Sequence, residues 1–506
     1  MMTRRQILRF LLRSGVTLPF VNYASLNKAL AQDPLLSLGA SLPPIEDRII
    51  VLIRMFGGND GFNSVIPFTD ETYYKIRNEN ALEPCSIAEN EVLRLNGSVT
   101  TGFHPAMTKL RDIYNDNKCA IIQNVGYPNH NMSHFRSTDI WLSGSDTDVF
   151  EQTGWLGRYF EQKYTDFKNN LPKHPPAIEF SRSVSRLLQS KEDQFGFAYN
   201  GIIPIPEKPD ILPTILHGSR KEQDFILSIQ KESHAFIGAL TEIEAKSVKN
   251  TVEYPAGNTI ASDLAHTARL IASGAKTNVY SLITDNMFDN HQRLMVYHNH
   301  AIGLVDSAVG TFQKDIENLG IADRVVLVLF SEFGRRLKPN GTGTDHGTAC
   351  PVFIIGTNIK GGIYGNNPDL NNLDENGNIE YKIDFRQIYA TLLSSWFGAS
   401  VSDIFPAIVP HFLDKIPFFN VDSEVMENML IFPNPSSTSI TITIGLETIQ
   451  SFRVYNLEGK QQNLPHQNYQ SYGVNIDVSS ISSGTYFIEA IKNNKKYYSS
   501  FVKVNQ

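Results

Sequence analysis

The run Val325-Val326-Leu327-Val328-Leu329-Phe330-Ser331-Glu332-Phe333-Gly334-Arg335, followed shortly by Thr344-Asp345-His346-Gly347, decides how the rest of the chain is read. The unbroken apolar residues Val325 to Phe330 read as a strand buried on both faces. The strand ends on an acid, Glu332. A glycine-rich loop, Asn340 to Gly343, then returns Asp345 and His346. Ligands and metals sit at strand ends in open α/β sheets. A carboxylate and an imidazole brought to one strand end are candidate ligands for a divalent cation. Asp345-His346 is equally compatible with a plain turn carrying one solvated histidine.

Similar apolar runs recur along the chain. Asp47 to Phe56, Ala120 to Val125, Val279 to Ile283 and Val352 to Ile355 read as further strands of the same kind. Helical spacing separates them: Pro105 to Tyr114, Asp224 to Lys246, Ile260 to Ile271, His291 to Leu319 with Gly320 as its stop, and Phe385 to Trp396. Alternating strands and helices predict an α/β domain over residues 47–414, with a mostly parallel sheet flanked by helices. Residues 165–215 are rich in proline and polar side chains and suit a lid or an insertion.

The two ends differ from this middle. Arg4-Arg5 precedes a modest apolar run, and Ala29-Leu30-Ala31 offers the small residues of a cleavage site. Residues 1–31 therefore read as a signal peptide of the twin-arginine type, too short and polar to span a membrane. From residue 429 the period changes to two, as in Ser439 to Ile444, Phe452 to Tyr455, Val474 to Val478, Tyr486 to Ile491 and Tyr497 to Val504. Asn493-Asn494 is a hairpin signal between the last two. Residues 429–506 read as a small all-β sandwich. The 506-residue chain has a net charge of −7 and no basic block, which argues against nucleic acid as a partner. Its 3 cysteines cannot make a disulfide framework, and Cys119 reads as core packing.

Polar residues gather just after the strands. Asp60, in Phe56-Gly57-Gly58-Asn59-Asp60-Gly61, points into the strand-end crevice or belongs to an ordinary turn. Asn129 to Ser137 carries two histidines, Ser133 and Arg136. A serine near a metal and an arginine is what an esterase nucleophile needs: the metal lowers the hydroxyl pKa and the arginine holds the anion. The same stretch also suits a helix start with Ser133 as its cap. Asp289 and His291 can turn toward one metal, or Asp289 can cap the helix that follows. His298 and His300 read as the exposed face of that helix.

Taken together, Gly57-Gly58-Asn59-Asp60-Gly61, Ser133-His134-Phe135-Arg136-Ser137, Phe288-Asp289-Asn290-His291, Ser331-Glu332-Phe333-Gly334-Arg335-Arg336, Thr344-Asp345-His346-Gly347-Thr348 and Asp384-Phe385-Arg386-Gln387 resemble the bacterial "domain of unknown function 1501" family. That family in turn looks like the alkaline phosphatase superfamily of phosphatases, sulfatases and phosphoglycerate mutases. The order of the superfamily's motifs implies Asp60, Ser133, Asp289 with His291, Glu332 with Phe333, and His346 as the site. One departure stands out, because the superfamily places Asp-His-Gly where this chain has Glu332-Phe333-Gly334, and phenylalanine binds no metal. Asp289, His291 and His346 are then expected to form one open metal site. A second, around Asp60, Ser133 and Glu332, lacks its nitrogen ligand and either takes a harder metal or stays empty, with Asp345 as an inferred substitute ligand.

The tail resembles the C-terminal sorting domain of type IX secretion substrates through Phe432-Pro433-Asn434-Pro435, Val454 to Lys460, Ile476-Asp477-Val478 and Ser483 to Phe487. The expected protein is thus exported through the periplasm to the cell surface or beyond, with the export and type IX machinery as partners and no transmembrane segment once mature. The expected activity is hydrolysis of phosphate or sulfate esters by a divalent metal (zinc, manganese, calcium or magnesium). Ser133 serves as nucleophile, Arg136 or Arg335 binds the substrate oxygens, and an anionic ester or glycan is the substrate. The alternative is a non-catalytic descendant that binds or assembles at the cell surface.

Overall fold

A computed structural model describes residues 42–199, 220–246, 248–405 and 415–420, and in the tail residues 430–432, 435–443, 449–456, 459–469, 473–492 and 495–505. The expected leader, residues 200–215, residues 406–414 and Asn493-Asn494 lie outside the described residues. The chain divides into a large unit within Ser41–Val421 and a small one within Asp422–Gln506.

The large unit is built on a nine-stranded sheet. In chain order its strands are β1 (Ile49–Arg54), β2 (Cys119–Gly126), β3 (Ala177–Phe180), β4 (Gly196–Tyr199), β5 (Val279–Ile283) and β6 (Val325–Phe330). A separate two-stranded ribbon, β7 (Arg335–Pro339) and β8 (Thr344–His346), intervenes. The sheet then resumes with β9 (Cys350–Ile355), β10 (Gly362–Tyr364) and β11 (Ile383–Asp384). The spatial order is β10-β2-β9-β6-β1-β5-β3-β4, with β11 also on β2. Every pairing is parallel except those of β9, which runs against β2 and β6. The mostly parallel α/β sheet expected from the sequence is the one observed.

β1 lies between β5 and β6, with Ile53 opposite both Leu282 and Leu329. The aliphatic side chains of β1 and β6 are nearly all buried because both faces of a parallel sheet are covered. The covering helices include α1 (Gly61–Ser64), α2 (Glu71–Asn78), α3 (Thr108–Asn115), α4 (His134–Ser143), α5 (Trp155–Lys163), α6 (Arg220–Glu244), α7 (Thr259–Ala272), α8 (Leu294–Asn318) and α9 (Phe385–Thr391). A π-helical turn, Leu392–Trp396, continues α9. The described part of residues 165–215 supplies the parallel strands β3 and β4, of which β4 is the edge, and is therefore part of the sheet.

This topology positions the site. β1, β5 and β6 run side by side in one direction, so Arg54, Ile283 and Phe330 finish level with one another. β2 and β9 meet at the same register edge through Val125 and Cys350. The loops after β1, β2, β5 and β6 thus open at one end of the sheet. The expected helix start at His291 moves to Leu294, because Asp289–Gln292 stay in the strand-end loop and Arg293 takes a left-handed φ of 50°. On α8, His300 is exposed as expected, but His298 is buried against Ser64, with Nε2 3.3 Å from its Oγ. Burial pushes the His298 imidazole down to about 3, so it sits there neutral.

The tail folds as two antiparallel four-stranded sheets. One contains Ser439–Thr443 and Gly473–Asp477; the other contains Ser451–Tyr455, Gly484–Lys492 and Lys495–Lys503. Inward residues from both sheets, including Ile440, Ile476, Val454, Ile488 and Phe501, share one core.

Leu329→Ala tests the central position of β6. The side chain is fully buried, and its truncation is expected to destabilise the large unit by about 2–5 kcal/mol in chemical denaturation. A change under about 0.5 kcal/mol would contradict this packing.

Candidate metal centre at the strand ends

Three loops converge on the guanidinium of Arg335, the first residue of β7. Its Nε donates to Gly58 O at 3.0 Å and Nη1 to Thr344 O at 2.7 Å. Its Nη2 donates to Gly57 O, to Phe288 O at 3.0 Å and to Asp289 Oδ1 at 2.6 Å. Arg335 is buried, so this set of partners satisfies a cation removed from water. The loops approach so closely that two glycines are required. A Cβ on Gly57, whose φ is +120°, would lie 2.3 Å from Asp289 N, and one on Gly343 would lie 2.1 Å from the His291 carbonyl carbon.

Asp289 is the hub of the site. Its Oδ1 also faces His291 Nε2 at 3.1 Å and His346 Nε2 at 3.3 Å, and its Oδ2 faces His134 Nε2 at 3.5 Å. Partial burial works against its ionisation. The hydrogen bond and charge of Arg335, aided by His346 and His291, outweigh that and hold the carboxyl down to about 2.

Each imidazole is held from behind by its Nδ1. His346 Nδ1 lies 2.8 Å from Met132 O, and His134 Nδ1 lies 2.8 Å from Glu332 Oε1. His291 Nδ1 faces Asp345 Oδ1 at 3.4 Å. Carbonyl and carboxylate oxygens only accept, so Nδ1 carries a proton, and in that tautomer each ring turns its Nε2 forward. These nitrogens converge: His291 Nε2 and His346 Nε2 are 3.0 Å apart. One ligand atom each from His134, Asp289 and His346 lies within 4.8 Å of the others. Burial pushes the His346 imidazole below its ordinary value, with the Arg335 charge acting in the same direction. Lone pairs and a carboxylate facing one another repel unless a cation or a proton lies between them. Imidazoles oriented by outer acceptors are the usual arrangement around a metal.

His134 is the residue that the sequence reading left out of its metal set. It opens α4, and a second contact fixes that helix to the strand end: Ser137 Oγ donates to Glu332 O at 2.7 Å and meets Tyr127 Oη at 2.5 Å. Phe333 is buried and forms a wall for the rings, with centroids 4.9 Å from His134 and 4.6 Å from His346. The nitrogen expected at position 333 thus has a counterpart on α4. The signal for it was the pair of histidines placed directly after β2.

Other expected site residues lie elsewhere. Asp60 is buried in an ion pair with Arg77, away from the histidine cluster, because the short helix α1 begins directly after it. Glu332 accepts from Gly57 N at 2.8 Å as well as from His134, so it aims the His134 ring from behind. Asp345 stands behind His291 in the same way and accepts from Asn340 Nδ2 at 2.7 Å. Arg136 is turned to the carbonyls of Asp146, Thr147 and Val149 and stacks over Phe150, so its donors tie down a loop. Arg335 is likewise committed and is a positioning residue. Ser133 is exposed at the N-cap position of α4, and its side chain makes no capping hydrogen bond. His134, Asp289 and His346 keep 19, 22 and 20 % of their side-chain surface, so the cluster is open to solvent.

Arg335→Met keeps the bulk and removes every donor. It strands four carbonyls and an anion, and is expected to cost about 3 kcal/mol or more in urea unfolding. Arg335→Lys is expected to restore only part of this, because an ammonium cannot span three loops. The Asp289 carboxyl is held below its unfolded value of about 3.9. Its contribution to stability is therefore complete above about pH 4 and fades as pH falls toward 2. In Asp289→Asn that acid-limb component should be absent from the pH–stability profile, and an unchanged profile would contradict the hub role.

Residues 229–399 match the family described as Protein of unknown function (DUF1501), and residues 430–504 match the Secretion system C-terminal sorting domain. The first match takes in the motifs at Phe288, Ser331, Thr344 and Asp384, while those at Gly57 and Ser133 lie outside it. No curated protein sequence matches the chain. Similar solved structures include the lipoteichoic acid synthase of Listeria monocytogenes, at 8% identity and a TM-score of 0.32, covering 84% of this chain and 90% of that one. An alkaline phosphatase superfamily protein of Vibrio parahaemolyticus matches at 9% and 0.31, covering 92% and 91%. The phosphonate monoester hydrolase of Silicibacter pomeroyi matches at 10% and 0.32, covering 80% of each. The sorting domain indicates export to the cell surface or the extracellular space. No described helix is long and apolar enough to cross a membrane. The chain thus combines an α/β unit, part of which matches the DUF1501 model, with a tail that matches a secretion sorting domain.

Proposed function

We propose that the large unit is a metal-dependent hydrolase of phosphate or sulfate esters, exported by twin-arginine and type IX routes. The observation that carries this is the convergence of Nε2 of His134, His291 and His346 on Asp289, with their Nδ1 atoms held by Glu332, Asp345 and Met132 O. Three imidazoles and one carboxylate suit zinc, or manganese as second choice. They differ from the oxygen shells that calcium and magnesium take. When bound, such a cation supplies Lewis acidity at this centre and lowers the pKa of a hydroxyl presented to it.

The chain's own residues supply the rest. Ser133 is flanked by Met132, whose carbonyl holds His346, and by His134 itself. It sits at the N-terminus of a ten-residue helix, where free N–H groups and the helix dipole favour an anion. Its hydroxyl attacks phosphorus or sulfur, the alcohol leaves with the ester oxygen, and water then cleaves the seryl ester. Asp289 stays ionised and His346 stays neutral at physiological pH, the states a metal ligand needs. The second reading, a non-catalytic surface-binding protein, is favoured by Arg136 and Arg335 both being committed to protein partners rather than to substrate oxygens.

Metal analysis of the purified mature chain, paired with turnover of aryl phosphates and aryl sulfates, separates these readings. The hydrolase reading predicts a zinc-class metal lost in His134→Ala, and turnover lowered by at least about 10²-fold in Ser133→Ala. Metal retained without turnover favours the binding reading. Neither metal nor turnover overturns the proposal. Metal retention should also weaken as pH falls below the ordinary histidine range of about 6.5, because burial holds the His346 imidazole under that value and protons then compete for its lone pair.

A further inference from the structure

A cleft of about 600 Å³ opens beside the metal centre and shares Met132 and Thr348 with its supporting loops. Met132 holds His346, and Thr348 Oγ1 donates to Ile379 O at 2.5 Å, so the cleft wall and the His346 loop are tied together. The volume falls in the range of small-ligand sites, about 300–1,000 Å³.

The lining is unusual in what it lacks. Among the described residues no lysine or arginine lines the cleft; Lys382 pairs with Glu380 at 2.6 Å, and Arg336 lies behind the lining carboxylate Asp374 and helps hold it ionised. His130 adds no charge, since burial pushes its imidazole down to about 3. What remains is Asn129, Asn372, Asn376 and Asn378, the carboxylates Asp374 and Glu380, and the rings of Tyr127 and Tyr381. Tyr127 is itself buried and stacks under His130 with centroids 4.2 Å apart, so the aromatic surface of the cleft is made by the half-buried rings of His130 and Tyr381, 5.9 Å apart. Asn378 is 3% exposed, and its Oδ1 has no hydrogen-bond partner although its Nδ2 donates to Asp374 Oδ2 at 2.9 Å. A buried acceptor of that kind is costly unless a donor meets it.

Acceptors and amides above aromatic faces suit a ligand that offers many hydroxyl donors and apolar C–H faces. They do not suit a second phosphate or sulfate, which would meet carboxylates without a cation. We propose that this cleft is the subsite for the uncharged, polyhydroxylated part of the substrate, a sugar ring, while the ester group faces His134, Asp289 and His346. The assignment rests on the hydrolase reading for its geometry, but its test does not need turnover.

Saturation-transfer NMR on the full chain would use methyl glycosides of glucose, galactose and N-acetylglucosamine as probes, with choline as a cationic control. The proposal predicts transfer to the ring protons of at least one glycoside. It predicts affinity lowered about 5–10-fold in Asn376→Ala and in Glu380→Gln, with the melting temperature retained. Absence of transfer to every glycoside, transfer unaffected by both substitutions, or stronger binding of choline overturns it. Failed ester hydrolysis with sugar binding intact would count against the metal-hydrolase reading alone.

Discussion

One buried guanidinium holds this site together. Arg335 donates to carbonyls from the loops after β1 and β5 and from the ribbon strand β8, and also to the carboxylate of Asp289. A buried arginine is expensive to desolvate, and its cost is offset only when its donors are met. Here the partners are backbone atoms of three separate chain segments, so satisfying the cation fixes where those segments sit. The position of Asp289 follows, and the low pKa of its carboxyl follows from the same contact. The imidazoles are then aimed by acceptors behind them, not by one another. The site is built from the outside inward, with Arg335, Glu332, Asp345 and Met132 O setting the orientation of the atoms in front.

The same constraint gives Phe333 a role. It lies between Arg335, which clamps the loops, and Glu332, which aims His134. Its ring closes the space beside Gly58 and walls His134 and His346. A histidine at that position would compete for the volume that His134 reaches from α4. With phenylalanine at position 333, the nitrogen beside His346 and Asp289 comes from His134 at the start of α4.

Much of the fold was legible because it is written in unbroken apolar runs. β1, β2, β5, β6 and β9 are each buried along nearly their whole length, and burial on both faces leaves only a few polar residues, such as Gln123, Asn124 and Ser281, to interrupt the pattern. β3 and β4 were missed for the opposite reason: each has four residues and stands near the sheet edge, too short to show a period. The polar tail strand His466–Tyr469 is hidden in the same way. Within the site, Asp289, His291 and His346 were legible from chemistry and strand context. His134 was passed over for its neighbour Ser133, since sequence order cannot say which of two adjacent side chains turns inward. The true tasks of Arg335 and Arg136 were not readable at all, because their partners are carbonyls, which every residue carries.

The central claim is that His134, His291, His346 and Asp289 form one metal site. Crystals of the full chain grown with zinc, measured on both sides of the zinc absorption edge, test it directly. One strong anomalous peak at about 2.0–2.2 Å from Nε2 of the histidines and from an Asp289 oxygen is the expected result. A peak on Asp60 or Glu332 instead, or no peak near Asp289 at full zinc occupancy elsewhere, would contradict it.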